Sequence, residues 1–163
     1  MNSMKQKIYP YVVFLPAKQK DNVLLAIFGS KAAVDILKFS IIQGVSNKIY
    51  QKDLIEKLSY SNKTVIKHLK SLTRLGVLKE QMEKTEVKNR TVWVKSYSLS
   101  DLGKWFALLL AKEKALSDEE KSEILKNAFR AYIGWIKTLS EKLNVDQSVL
   151  KKIFTEEMKT GEK

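Results

Sequence analysis

The stretch Ser61 to Gly76, SNKTVIKHLKSLTRLG, decides how the rest of the chain is read. Val65, Leu69, Leu72 and Leu75 recur at steps of four, three and three, so they share one face of an α-helix and mark it for burial. Ser61 has the side chain of an N-cap, and Gly76, just past Leu75, supplies the left-handed residue on which helices stop. Away from that seam, Lys63, Lys67, Lys70 and Arg74 form a basic stripe with Asn62, Thr64 and Ser71 beside it and no acid interrupting it. Such a helix suits the DNA major groove, whose walls offer phosphates and whose floor offers base edges. The same pattern also describes a solvated surface helix, so the flanking sequence has to decide.

Charge distribution is the first discriminator. The chain has 163 residues and a net charge of +12. Residues 1–20 carry +4 with no acids, residues 21–98 carry +7, and residues 99–163 are nearly neutral at +1. The basic excess therefore travels with the helix just described, which points to a polyanion-binding N-terminal part joined to a part with another task. There is no cysteine, so disulfides and thiolate metal sites are excluded and a reducing cytoplasm is the expected compartment. The apolar run YVVFLP is too short for a secretory signal, and no stretch approaches the roughly 18 apolar residues of a membrane span, so a soluble protein without membrane association is expected.

Residues 1–20, with Pro10 and Pro16, read as an arm that either packs on its own domain or reaches across a dimer. Asp21–Phe28 reads as a short helix broken by Gly29. Ser30 then caps a second helix with Ala33, Ile36, Leu37, Ser40 and Ile41 on one face and Gly44 at its end. Lys48 to Tyr50 suits a brief strand, and Gln51–Leu58 a helix facing inward through Leu54, Ile55 and Leu58. Only Ser59–Ser61 separates that helix from the next, and two short helices across so tight a turn form a helix-turn-helix whose second member is the recognition helix. Val77–Met82 and Thr91–Leu99, where Trp93, Tyr97 and Leu99 alternate with polar neighbours, read as two strands around the polar segment 83–90. A hairpin there is a wing, and Lys84, Lys88 and Arg90 near an Asn89 turn would touch the DNA backbone or enter the minor groove. Glu83 and Glu86 oppose that role unless they point away from the nucleic acid.

These segments resemble a known family. LLAIFGSKAAVDILKFSI at 24–41, followed by YQKDLIEKLSYSNKTVIKHLKSLTRLGVLKE at 50–80 and a hairpin, is similar to the winged helix-turn-helix of ArsR-type and related MarR-type regulators, particularly small archaeal ones. The recognition-helix pattern of that family is matched by Ser61, Thr64, Val65, His68 and Leu69, with Leu-Gly-Val-Leu at 75–78 leading into the wing. The resemblance spans roughly residues 22–99 and implies a transcriptional regulator that binds double-stranded DNA. Two positions depart from it. Ile66 stands where a small polar residue is usual, and Lys67 replaces an arginine, which removes a bidentate fork for guanine and shifts weight to phosphate contact. The first turn, free of acids, keeps the positive helix end available to a phosphate.

The last third is helical and rich in large apolar groups. Ser100 caps a helix carrying Leu102, Trp105, Phe106, Leu109 and Leu110, and Ser117 caps a longer one with Asp118, Glu119 and Glu120 in its first turn, as the helix dipole prefers. In the longer helix Leu125, Phe129, Tyr132, Ile136, Leu139 and Leu143 follow a four-three alternation, the spacing of a coiled-coil seam. Asn144 or Asp146 starts a final helix bearing Val149, Leu150, Ile153 and Phe154. Such faces close either as an intramolecular bundle or as a homodimer interface. We expect the dimer, formed by Leu102, Trp105, Phe106, Leu109, Leu125, Phe129, Tyr132, Ile136, Leu139 and Leu143, because regulators of this fold present two recognition helices to two half-sites.

The expected fold class is thus mainly α (α+β): an arm at 1–20, a winged helix-turn-helix with a two-stranded wing at 21–99, and a C-terminal helical dimerisation region at 100–163. The candidate DNA contacts are Ser61, Asn62, Lys63, Thr64, Lys67, His68, Lys70, Ser71 and Arg74 on the helix and Lys84, Lys88 and Arg90 on the wing. His68 is the lone histidine, so no metal cluster forms around it, and thiolate metal sensing, common in ArsR-like proteins, is not expected. Neither a phosphate-binding glycine loop nor a nucleophile elbow appears, so no enzyme and no cofactor are expected. Trp105, Phe129, Tyr132 and Trp135 read as core rather than as the lining of an effector pocket. The rival reading from another class is a winged-helix protein-interaction adaptor, and a nonspecific architectural DNA-binding protein is a further alternative.

Overall fold

Ser30 begins the first helix among the described residues by accepting the Ala32 N–H on its hydroxyl at 3.1 Å, which satisfies one of the donors a helix start leaves open. The structure, a computed structural model, describes residues 29–112 and 114–159. The expected arm at 1–20 and the expected helix Asp21–Phe28 lie outside the described residues. The first helix, α1, spans Lys31–Gln43 and stops at Gly44, whose φ of 102° suits glycine. It buries Ala33, Ile36, Leu37 and Ser40 as their spacing predicts, and also Ala32, Val34 and Phe39, so it is covered on more than one side.

Strand β1 (Ile49–Tyr50) leads directly into helix α2 (Gln51–Lys57), and helix α3 (Asn62–Arg74) follows after a short turn. Leu54 of α2 and Val65, Leu69 and Leu72 of α3 are fully buried, with Ile36 and Leu37 of α1 in the same cluster. Ile55, Leu58 and Leu75 are partly buried against it. Strands β2 (Leu78–Val87) and β3 (Arg90–Leu99) pair antiparallel along their whole length, and β1 adds to the other edge of β3, giving the order β1-β3-β2. The described residues therefore form a mixed α+β structure of six helices and a three-stranded antiparallel sheet, an arrangement consistent with a winged-helix fold.

The hairpin differs from its expected form. The segment 83–90 is mostly strand, and the turn is only Lys88 and Asn89, with φ of 49° and 62°. Two consecutive positive values make the type I′ geometry that matches strand twist, and asparagine tolerates it. Cross-strand pairs such as Lys84 with Trp93 and Thr85 with Val92 extend the ladder, with β-branched or aromatic residues alternating with the charged ones. Only the base of the hairpin is anchored in the core, through Leu78, Tyr97 and Leu99.

Helix α4 (Asp101–Leu110) starts at Ser100, whose Oγ accepts the Gly103 N–H at 3.0 Å and donates to the Gly76 carbonyl at 2.6 Å. One hydroxyl thus caps α4 and ties it to the end of α3. Phe106 and Ala107 are fully buried in the core with the three preceding helices. That corrects the expectation that Phe106 faces a second chain: its apolar period served the chain's own core, which no partner reaches. Leu102, Trp105 and Leu109 are partly buried against the same core.

Helix α5 spans Asp118–Leu143 and opens with a capping box, Ser117 Oγ accepting from Glu120 N–H at 3.1 Å and Glu120 Oε1 from Ser117 N–H at 3.2 Å. The chain divides into two compact units, the first ending at Ala128 and the second starting at Phe129, within α5. Ile124 belongs to the core of the first unit. In the second unit Asn144, with a φ of 54°, follows the end of α5. Asp146 then caps α6 (Gln147–Lys159) by accepting the Ser148 N–H at 2.8 Å, which holds its carboxyl below the usual value. Tyr132, Ile136 and Leu139 are half-buried, whereas Leu143, in the second unit, and Leu125, in the first, are exposed.

Candidate nucleic-acid interface

The surface of α3 follows from its own periodicity. With Val65, Leu69 and Leu72 turned into the core, a repeat of 3.6 residues carries Lys63, Lys67, Lys70 and Arg74 to the opposite side, and all four are exposed. From Lys63 to Arg74 the stripe runs about 16 Å along the helix axis. Asn62 is exposed at the helix start, while Thr64, His68 and Ser71 are half-buried on a flank. His68 is held below the ordinary histidine value, first by burial and then by the neighbouring Lys67 charge. It is therefore neutral at pH 7 and adds a hydrogen-bonding ring to the flank, not a charge.

Ser61 and Thr64, expected as groove contacts, are engaged with each other. Ser61 Oγ accepts the Thr64 N–H at 3.1 Å and lies 2.9 Å from Thr64 Oγ1. The cap leaves the first turn without an acidic residue. Sequence spacing placed both residues at the helix start, where capping and recognition compete for the same hydroxyls.

The orientation of α3 depends on residues that spacing did not single out. Tyr60, in the turn before α3, donates its hydroxyl to Asp35 Oδ2 of α1 at 2.6 Å, and this bond raises the phenol above its ordinary value. No periodicity signals a contact between positions 25 residues apart. Replacing Tyr60 by phenylalanine should lower stability by roughly 1 kcal/mol, the usual worth of such a bond, without changing any surface charge. Chemical denaturation checks this, and an unchanged midpoint would show that the turn is held otherwise.

On the hairpin, Lys88 and Arg90 lie at the turn and Lys84 lies on the shaft, all exposed. Lys84 Nζ sits 5.0 Å from the centre of the Trp93 ring, a cation–π contact that steadies the lysine while leaving both groups in solvent. Glu83 forms an ion pair with Lys48 and accepts the Tyr50 hydroxyl at 3.1 Å, so it is turned onto the β1 side of the sheet and lies below its usual acidity range because of Lys48. Glu80 pairs with Lys95 at 3.4 Å. Two of the acids on β2 are thus neutralised within the sheet, while Glu86 is exposed on the strand face that carries Lys84.

Among the described residues no three His, Asp or Glu side chains gather as a metal site. None of the helices they form is long and apolar enough to cross a membrane. No protein-family model and no curated protein matches the chain. A solved structure described as a possible transcriptional regulator from Methanosarcina mazei Go1 is similar over 76% of this chain and 85% of its own, at 17% identity and a TM-score of 0.39.

Proposed function

We propose that this protein is a double-stranded DNA-binding transcriptional regulator of the winged helix-turn-helix type, resembling the ArsR and MarR groups. In this reading α3 enters the major groove, with Lys63, Lys67, Lys70 and Arg74 on phosphates and Asn62 and Ser71 near base edges. The hairpin acts as the wing, with Lys84, Lys88 and Arg90 on the backbone or in the minor groove. The observation that carries the proposal is the unbroken cationic stripe directly opposite the buried seam of a capped helix. A protein-interaction adaptor has no need of such a face.

The protein acts as a homodimer in this proposal, presenting two α3 helices about 34 Å apart, one DNA turn, to a palindromic site. It performs no chemistry on the DNA and uses no cofactor. Electrophoretic shifts of genomic fragments in excess nonspecific competitor test the reading. Retained selection of a few fragments is expected, uniform binding would indicate an architectural role, and no binding at low salt would favour an adaptor.

A further inference from the structure

Trp93 is the most exposed aromatic side chain among the described residues, at 57%. Strand β1 pairs only with Ser96 and Tyr97, so from Thr91 to Lys95 strand β3 has β2 alone beside it. Leaving so large a ring in water forfeits the burial that a tryptophan normally supplies. Its cross-strand partner is Lys84, whose ammonium lies over the ring at 5.0 Å from its centre. Among the described residues Lys84 forms no ion pair, although Glu86 stands two residues away on the same strand face.

The charges around the ring select its occupant. Towards the body of the domain, the groove between the hairpin and α2 is of mixed sign, with Lys52, Asp53 and Glu56 on its α2 wall. Towards the turn, Lys84, Lys88 and Arg90 stand against Glu86 alone, a net charge of +2, and all four are exposed. The outer half of the hairpin therefore favours an anionic partner. A nucleic-acid backbone presents anionic phosphates and apolar deoxyriboses in alternation, so one nucleotide can meet a cation and an apolar plate that lie side by side. The cation–π contact prepares for this. It holds the lysine stem over the ring before binding, so less side-chain freedom is lost when the pair is covered. Single strands are held by successive aromatic platforms, and this hairpin offers one exposed ring, which favours the duplex.

We propose that Trp93 is a duplex contact of the hairpin, its ring lying on a deoxyribose while Lys84 beside it neutralises the adjoining phosphate. The inference rests on the DNA-binding reading above and adds an apolar contact to a surface otherwise described by its charges.

Filter binding across a salt series, with fluorine NMR of the full chain, tests this. Trp93→Ala should weaken duplex binding about tenfold and leave the slope of log affinity against log salt unchanged, because an apolar contact releases no counterion. Lys84→Ala should weaken binding and also lower that slope by about 0.9. Both variants should unfold close to the wild-type midpoint, since both side chains are exposed. With fluorotryptophan in place of tryptophan the chain gives three resonances, and Trp93→Phe identifies one of them by its loss. Duplex DNA should shield that resonance from a soluble paramagnetic chelate. If wild type binds duplex but Trp93→Ala binds as tightly, or the Trp93 resonance stays open to the chelate, the contact is wrong and the DNA-binding reading stands. Stronger shielding by a single strand than by a duplex of the same length also overturns the contact, in favour of base stacking. A wild type that binds no duplex at low salt overturns both.

Discussion

Replacing Lys63, Lys67, Lys70 and Arg74 together by alanine is expected to abolish duplex binding at physiological salt while leaving the fold intact. These side chains are exposed on the side of α3 away from Val65, Leu69 and Leu72, so no packed contact is lost. Each cation that neutralises a phosphate adds about 0.9 to the slope of log affinity against log salt, so the slope should fall by roughly 3.6. Charge-assisted contacts contribute roughly 1.5 kcal/mol each, and the four together should weaken binding by at least on the order of a thousandfold. Filter binding across a salt series measures both quantities, with thermal unfolding as the control. Unchanged slope and affinity in a folded variant would place the DNA surface elsewhere. The equivalent change at Lys84, Lys88 and Arg90 should produce a smaller loss, because the hairpin carries one fewer cation and the exposed acid Glu86.

Gly103→Ala should be the most damaging small substitution for stability. A Cβ at that position would lie 2.2 Å from the Val77 carbonyl oxygen and 3.1 Å from Leu99 Cδ2. The carbonyl cannot give way easily, because it accepts the Ser100 N–H at 3.0 Å at the junction of α3, β2 and α4. Relief of the overlap requires α4 to move away from β2, which disturbs Phe106 and Ala107 in the core. Overpacking of this kind costs about 3 kcal/mol or more. Urea unfolding followed by circular dichroism should show it as a large drop in midpoint. Gly134→Ala is the contrast: nothing lies within 4 Å of its Cβ position, and it sits inside a helix. That change should raise stability by roughly 0.5 to 1 kcal/mol. A midpoint for Gly103→Ala equal to wild type would mean that α4 docks with more slack than the glycine contact implies.

The local features of the fold were legible because short-range rules produce them. The spacing of Val65, Leu69 and Leu72, the caps at Ser30, Ser61, Ser100 and Ser117, and the stop at Gly76 each involve residues within about one helical turn. The sequence alone therefore determined α1 to α5, the buried face of α3 and the position of its basic stripe. It also placed the turn near Asn89. The start of α6 was open between two residues until the Asp146 cap showed which one begins it.

What only the tertiary structure decided depends on contacts between distant residues. An apolar period marks a face for burial but not what buries it, so Phe106 joined the core of its own unit instead of an outward surface. Phe129, Leu125 and Leu143 stayed exposed, and α6, noted only for its apolar residues, proved to be without a buried one. The hairpin grew past its expected strands because Lys84 to Val87, polar enough to read as a loop, pair residue by residue with Arg90 to Trp93 across the turn. Likewise Glu83 counted as an obstacle to a basic wing until Lys48 and Tyr50 were seen to hold it on the β1 side of the sheet. Helix periodicity is a property of neighbours along the chain, whereas the partner of a face, a strand or a charge is chosen by neighbours in space.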